Sequence, residues 1–432
     1  MSRYVRRTLT VLSVVVLGLW AAWWVESVRR DTLAFGGSTW VPALPSLAGD
    51  FRLHLDHIAR LSASGVNPYF YRDDFACSVY PYPPMVPRLF AWVNLATPEA
   101  AVKIWLAALA AMIAGGAVVA LRVRRELRLG RVPPALGVAA VLFSTPAVLA
   151  MERGQCDPLA VPALAVMAWL LRRRSAWADP AAGALLGLTV WLKYYPGAAA
   201  VGLLALGRYR ALAAFVAVAG VVGFVDRAEI RQSIDNGKTA AVLFGDKVPV
   251  CHPTKHGIVE GWPALWFRTR LRKLRAVPGP LAAAALLIPA AAVVCRKVGK
   301  AADPGPLVLP LFLWLTAATT YAMPWSNDYN LVLLPLAALA VWDHRDPKAV
   351  HVCLALSVVW CQPLALPWAG GKLLFVLKLA ALYAVGASLV VKARGTADKD
   401  PWFVHAAESS ALDRRVPGGI ERISRGDRPC AV

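Results

Sequence analysis

Apolar residues in this chain come in long runs, not in the two-residue alternation of strands or a one-sided helical stripe. A helix needs about 20 apolar residues to cross a bilayer. The first run, Thr8–Glu26, follows a short basic stub, Met1–Arg7. Trp20, Trp23 and Trp24 close it where a signal peptide would show a small-residue cleavage site. The run reads as a retained span with an interfacial aromatic belt and its N-terminus inside. Basic segments separate many of the later runs: Arg122–Arg131, Arg172–Arg174, Arg208–Arg210, Arg296–Lys300, Arg345–Lys348 and Lys392–Arg394. Alternating spans from an inside N-terminus put all of these on the cytoplasmic side, as the positive-inside rule requires. The predicted fold is all-α, a polytopic transmembrane helical bundle of about twelve spans over residues 1–393. Both termini are inside, and 394–432 is a polar, disordered cytoplasmic tail. Near 181–206 the runs are short and broken by Lys193 and Pro196, so the count is softest there.

Composition sharpens this picture. Of the 432 residues, 58% are hydrophobic and only 17% are charged, against about 25% charged in an ordinary soluble domain. Soluble enzymes, disordered chains and coiled coils are excluded. The formal net charge of +21 would suit nucleic acid, but no soluble domain is present to read a groove. The arginines instead set topology and meet anionic headgroups, so a membrane partner is expected and nucleic acid is not. Two of the seven cysteines, Cys77 and Cys251, fall in the predicted outer loops, about 28–99 and 226–277. A bridge between them is compatible with that compartment; free thiols are the simpler reading.

The polar chemistry concentrates on the predicted outer side. The first loop carries Gly49-Asp50-Phe51, then His54, Asp56, His57 and Arg60. Phe51, Leu53, Leu55, Ile58 and Leu61 predict a short helix at the membrane surface, which would hold a carboxylate at headgroup level. Asp50 is also a favoured helix cap. The His and Asp residues together raise a metal site, but they lack an HxxxH spacing or Cys partners, so no metal is expected. Glu152-Arg153-Gly154-Gln155-Cys156-Asp157-Pro158 forms an outer turn with more ionisable groups than a turn needs. Lys193-Tyr194-Tyr195-Pro196 interrupts an apolar run, where the lysine either meets a phosphate or snorkels to the surface. Arg268, Arg272 and Arg275 share one face of a basic amphipathic helix suited to lipid phosphates. Met323–Asn330 is a polar turn whose hydroxyl, amide and carboxylate groups suit sugar hydroxyls.

In order and spacing, over about residues 40–340, these pieces resemble glycosyltransferase family 87, polytopic enzymes of the C-type membrane class. The carriers are Asp50-Phe51, the G-x-N-P-Y stretch Gly65–Tyr69, Tyr82-Pro83-Pro84, Gly154-Gln155, Lys193–Pro196 and the Asp328-Tyr329-Asn330 turn. The resemblance implies transfer of a sugar, typically mannose, from a polyprenyl-phosphate donor to a lipid or glycan acceptor on the outer face of the plasma membrane, without a cofactor. The family's loop aspartate falls on Asp50, the candidate catalytic residue. His54, Asp56, Tyr69, Tyr82, Arg153, Gln155, Lys193, Arg268, Arg272, Asn327 and Asp328 are the candidates for substrate contact. The sequence departs from the family pattern at His54, where a tyrosine is common, and in the second loop around Cys251, His252 and His256.

The chemistry stands without the resemblance. Displacing a phosphate from an anomeric carbon needs a base on the acceptor hydroxyl and cations for the leaving group. One base with in-line attack predicts inversion; retention would need a second carboxylate, for which Asp56, Glu152 and Asp157 are present. A pentosyl donor, such as arabinofuranosyl, is the alternative within this class. A lipid or sugar transporter, and a non-catalytic assembly subunit, are the alternatives outside it.

Overall fold

The computed structural model describes residues 3–30, 47–70, 82–173, 175–245, 273–274, 277–323, 328–343 and 370–397. Every regular element among them is helical. In chain order these are α1 (Arg3–Arg30), α2 (a π-helical stretch Phe51–Asp56 running into His57–Ala63), α3 (Met85–Leu89), α4 (Pro98–Glu126), α5 (Pro134–Leu142), α6 (Thr145–Arg153), α7 (Ala160–Leu171) and α8 (Ala178–Thr189). The second half contains α9 (Ala199–Ala205), α10 (Tyr209–Val225), α11 (Arg227–Gly245), α12 (Gly279–Gly299), α13 (Val308–Ala322), α14 (Leu333–Val341) and α15 (Gly370–Ala397).

Five stretches among the described residues are long and apolar enough to cross a membrane: Thr10–Arg30, Pro98–Glu126, Gly279–Gly299, Gly305–Ala322 and Val376–Arg394. The number is seven if two bent pairs, α5 with α6 (60°) and α10 with α11 (85°), each count as one span. This is fewer than the twelve expected. The count covers the described residues alone, and short helices account for part of the difference. Apolar runs such as Asp157–Leu171, Tyr195–Ala205 and Asn330–Val341 fold into helices too short to cross alone, because each starts at a polar turn inside the bundle. The bundle presents apolar side chains outward, among them Val11, Val15 and Leu19 of α1, Val221 and Phe224 of α10, and Ile288 and Val293 of α12. That is the surface expected against lipid rather than water.

α4 sets the length of the molecule. Thr97 caps it, accepting from the Ala100 N–H at 3.3 Å, and Pro98 occupies its first turn. Its 29 residues span about 43 Å. At its far end Arg124 is buried and donates to the carbonyls of Gly130 at 2.6 Å and Trp342, tying α4 to the end of α14. Glu126 pairs with Arg172 at 2.7 Å, Arg208 with Asp179 at 3.4 Å, and Lys392 with Asp343 at 3.5 Å. The basic segments among the described residues thus gather at one end; Arg345–Lys348 lies outside them.

Two expectations change. Trp20 and Trp24 do not form an interfacial belt: both are buried, stacked at 6.0 Å, with Trp20 against Phe143 at 6.1 Å. They are the contact through which α1 packs on α5. The predicted second outer loop begins as a helix, α11, turned 85° from α10. The boundary expected at 394 falls within the last turn of α15. Cys77 and Cys251 lie outside the described residues, and Cys156 and Cys295 are free thiols.

Candidate active site

The end of α6 builds the site. Gly154 closes the helix in the left-handed region at φ +67°, where a glycine avoids the Cβ penalty. The N–H of Gly154 returns to Met151 O at 3.0 Å and that of Gln155 to Ala150 O at 2.9 Å. This is a Schellman closure. It sends Arg153 and Gln155 toward the same neighbour. That neighbour is α2: a Cβ on Gly154 would stand 2.7 Å from Phe51 Cβ and 3.1 Å from Ala48 Cβ. The Ala48 N–H donates to Glu152 O at 2.7 Å, and Trp105 Nε1 of α4 donates to Gly154 O at 2.8 Å. Phe51 stacks on Trp105 at 5.8 Å beneath this joint.

Asp50 is the residue the joint encloses. It does not cap α2; its side chain makes no capping bond. Instead its carboxylate receives Arg153 Nη2 on Oδ1 at 2.5 Å, Arg153 Nε on Oδ2 at 2.8 Å, and Gln155 Nε2 on Oδ2. The Asp50 side chain is 4% exposed and that of Arg153 19%. Burial acts to raise the Asp50 pKa. The Arg153 charge and hydrogen bonds, with His54 and Gln155, outweigh it, and the net shift is downward. The His54 pKa is also lowered, first by burial and then by the charges of Arg153 and Lys193, against Asp50.

A second carboxylate lies two residues past Gln155. Asp157 Oδ1 accepts from the Tyr195 hydroxyl and from Asn330 Nδ2, the latter at 2.7 Å. Its Oδ2 faces Lys193 Nζ at 3.5 Å. Lys193 in turn lies over the Tyr82 ring at 4.6 Å, and His54 approaches Tyr82 at 5.9 Å between ring centroids. Asp50, His54, Tyr82, Arg153, Gln155 and Lys193 therefore form one polar cluster, extended by Asp157, Tyr195 and Asn330. Among the described residues, Gln155 Oε1 and Asp157 Oδ2 are buried without a hydrogen-bond donor. Both are acceptors, so a ligand there would have to bring donors, as hydroxyl groups do.

α11 clamps the rim. Tyr69 donates through its hydroxyl to Tyr82 O at 3.1 Å, Ser233 Oγ to the same carbonyl at 3.0 Å, and Asn236 Nδ2 to Tyr69 O at 3.2 Å. Arg88 binds both oxygens of Asp226, at the bend between α10 and α11, at 2.6 and 2.7 Å. Tyr69 is thus a buried strut rather than part of the ionic cluster.

Asp56 goes elsewhere. Its carboxylate holds Arg60 at 2.9 Å, and Arg60 also donates to Ala96 O at 3.1 Å. It serves as an anchor of α2, which also dissolves the grouping of Asp56 with His54, His57 and Asp50. No three His, Cys, Asp or Glu residues come together as metal ligands among the described residues. Arg268, Arg272 and Asn327 lie outside the described residues. Asp328 opens a short 3-10 turn, Asp328–Val332; its side chain is outside the description. Tyr195 and Asn330 are functional candidates that sequence reasoning does not single out. The available signal is position: each sits at the polar mouth of an apolar run, next to a residue that is singled out.

Residues 80–225 match the model of glycosyltransferase family 87. The chain carries a glycosyltransferase family 87 domain. The five to seven candidate spans suggest a multi-pass membrane protein. The matched stretch holds Tyr82, Arg153, Gly154, Gln155, Asp157 and Lys193, and ends with α10; Asp50 and Asn330 lie on either side of it and reach it only through the fold. Comparison with curated proteins and with solved structures gave no match.

Proposed function

We propose that this family 87 domain transfers a sugar, mannose by resemblance, from a polyprenyl-phosphate carrier to a lipid or glycan acceptor at the extracytoplasmic face. Asp50 is the general base and the product is inverted at the anomeric carbon. The observation that carries this reading is the joint between α2 and α6: a buried carboxylate contributed from outside the matched stretch, held by Arg153 and Gln155 from inside it. A base must be fixed within hydrogen-bond reach of the hydroxyl it serves. Arg153 and Lys193 supply cationic charge for the phosphate that leaves, and the donor-less Gln155 Oε1 suits a sugar hydroxyl. Retention would need a second carboxylate as nucleophile; Asp56 is turned to Arg60 and Asp157 is held by Tyr195, Asn330 and Lys193, so the reading with Asp50 as sole base carries inversion with it. The twelve-span topology belongs to this proposal, with the basic end inside.

The test uses membranes containing the protein, which supply their own acceptors, and labelled polyprenyl-phosphate mannose. Label should pass to a new lipid or glycan product. Asp50→Asn, matched for expression, should lose about 10²–10⁴-fold in rate, the usual worth of a positioned base. Wild-type rate in that variant would refute the assignment. The short helices α7, α9 and α14, which end at the polar cluster, also suit a transporter; a transporter would move the label unchanged. A pentosyl-loaded donor, run in parallel, tests the sugar.

A further inference from the structure

We propose that Arg153 is a latch on Asp50, and that the phosphodiester of the donor opens it, so that the base is exposed only when donor is bound. This rests on the reading of Asp50 as the base. The geometry begins with occupancy. An ionised carboxylate offers about four lone-pair positions, and Asp50 has three in use: one on Oδ1 and two on Oδ2. An acceptor hydroxyl arriving at this site meets a carboxylate already committed to a two-point guanidinium pair. Such forked pairing is the geometry with which arginine also binds phosphate oxygens. A phosphodiester is therefore a ligand able to replace Asp50 on Arg153 in kind.

Burial gives the exchange a direction. Asp50 is the buried partner and Arg153 the more exposed one, so an incoming anion meets the guanidinium first. Lys193 repeats the arrangement alongside: its ammonium stands 3.5 Å from Asp157 and over the Tyr82 ring, itself 20% exposed above a fully enclosed carboxylate. Arg153 and Lys193 thus each pair with a carboxylate, and a monoanionic phosphate would be shared by two cations drawn partly away from those carboxylates.

The consequence for Asp50 follows by sign. With Arg153 in place, its charge overcomes the effect of burial and lowers the carboxyl's proton affinity. With Arg153 turned to phosphate, the largest opposition to burial is gone, His54 and Gln155 alone remain against it, and proton affinity rises. Asp50 becomes a stronger base at the moment donor is present, and takes the acceptor's proton as the sugar transfers. The other groups around it are accounted for. On α2, Arg52 Nε donates to Leu47 O, Asp56 is paired with Arg60, and His54 and His57 remain. On the α6 turn lie Glu152, Asp157 with Lys193, and Cys156, whose thiol burial pushes up to about 12. On α4, Glu99 and Lys103 are exposed. Arg88, beside α3, is paired with Asp226.

The experiment measures proton uptake on binding, with the full-length protein in neutral detergent. The probe is methyl farnesyl phosphate, a phosphodiester with no group of its own titrating near pH 5. Calorimetric binding heats are compared at pH 5 in acetate and pyridine buffers, whose protonation heats differ. The latch predicts uptake of up to one proton per ligand at pH 5 and none at pH 8. Uptake should vanish in Asp50→Asn, shrink in Arg153→Gln, and persist in His54→Gln. Binding to wild-type protein without uptake overturns the latch and leaves the proposed donor intact. Uptake that disappears in His54→Gln but not in Asp50→Asn assigns the proton to histidine and also overturns it. No binding of the probe at all overturns the donor reading and the latch together. If Asp50→Asn fails to fold, His54→Gln still decides: uptake that persists there supports the latch, and uptake that vanishes overturns it.

Discussion

Gly154→Ala tests whether the α2–α6 joint is as tight as its distances say. The substitution acts in two ways. The backbone at φ +67° is left-handed, which costs a residue with a Cβ about 1–2 kcal/mol. The new methyl would also lie 2.7 Å from Phe51 Cβ and 3.1 Å from Ala48 Cβ. Neither is the end of a flexible side chain, so α2 must shift as a body; overpacking of this kind costs about 1–3 kcal/mol. Gly65→Ala separates the two effects. Gly65 has φ +84° but nothing within 4 Å of its added Cβ, so it carries the backbone cost alone. Unfolding free energies from denaturant titration in mixed micelles should therefore fall by about 2–5 kcal/mol for Gly154→Ala and about 1–2 kcal/mol for Gly65→Ala. The folded fraction of Gly154→Ala should also transfer sugar more slowly by roughly 10²-fold, the effect of moving a catalytic group by about 1 Å. The rate for Gly65→Ala should stay near wild type. If both variants lose the same stability and Gly154→Ala keeps its transfer rate, the joint does not position Asp50 and the reasoning fails.

Other expectations follow from the same contacts. Lys193→Gln should raise the donor KM by about 10-fold or more, since hydrogen bonds to charged groups are worth about 1.5–3 kcal/mol, with a smaller change in kcat; equal loss in both would place Lys193 at the transition state instead. Asp56→Asn should cost at most about 1 kcal/mol of stability through its partly exposed Arg60 pair and leave transfer within a few-fold of wild type, measured beside Asp50→Asn. The depressed Asp50 pKa makes its contribution to stability complete above the ordinary carboxyl value of 3.8, and that contribution drains as pH falls through the lower native value; unfolding curves between pH 3 and 6 should be flatter in Asp50→Asn at the acid end.

Particular residues show how far the sequence could be read. The helical membrane class was legible because apolar runs bounded by basic segments have one physical explanation, and those segments do meet at one end through Arg172–Glu126 and Arg208–Asp179. Asp50, Arg153, Gln155 and Lys193 were legible as ionisable or amide groups interrupting apolar sequence. Their pairing was not. Asp50 and Arg153 are 103 positions apart, and nothing local says that Gly154 lacks a Cβ because Phe51 occupies its place. Asp50 looked equally suited to capping α2, since local pattern carries no information about a guanidinium arriving from another helix. Asp56 illustrates the converse: its partner Arg60 is one turn away, and the i, i+4 spacing was available to show that it is spoken for. The span count was less legible for a related reason. Length rules assume that an apolar run begins at the membrane surface, whereas Asp157, Tyr195 and Asn330 begin theirs inside the bundle.

Helix lengths bound how deep that starting point is. The 3-10 turn Asp157–Leu159 adds about 6 Å to the roughly 18 Å of the 12-residue α7, so Asp157 stands about 24 Å from the basic end near Arg172. From the opposite side, Trp105, which binds the Gly154 carbonyl, is about 10 Å along α4 from Pro98. The hydrocarbon core of a bilayer is about 30 Å thick. With the basic end at one headgroup layer, Asp157 lies roughly 6 Å inside the other. Charges at such depth are costly unless paired, which accounts for the one-to-one arrangement of Asp50 with Arg153 and Asp157 with Lys193. The proposed donor suits a site so placed: a phosphate carried on an isoprenoid tail would reach both cations while its tail stays in the membrane. The short helices and the paired charges are thus one feature: the outer ends of several helices are replaced by the polar turns that the reaction needs.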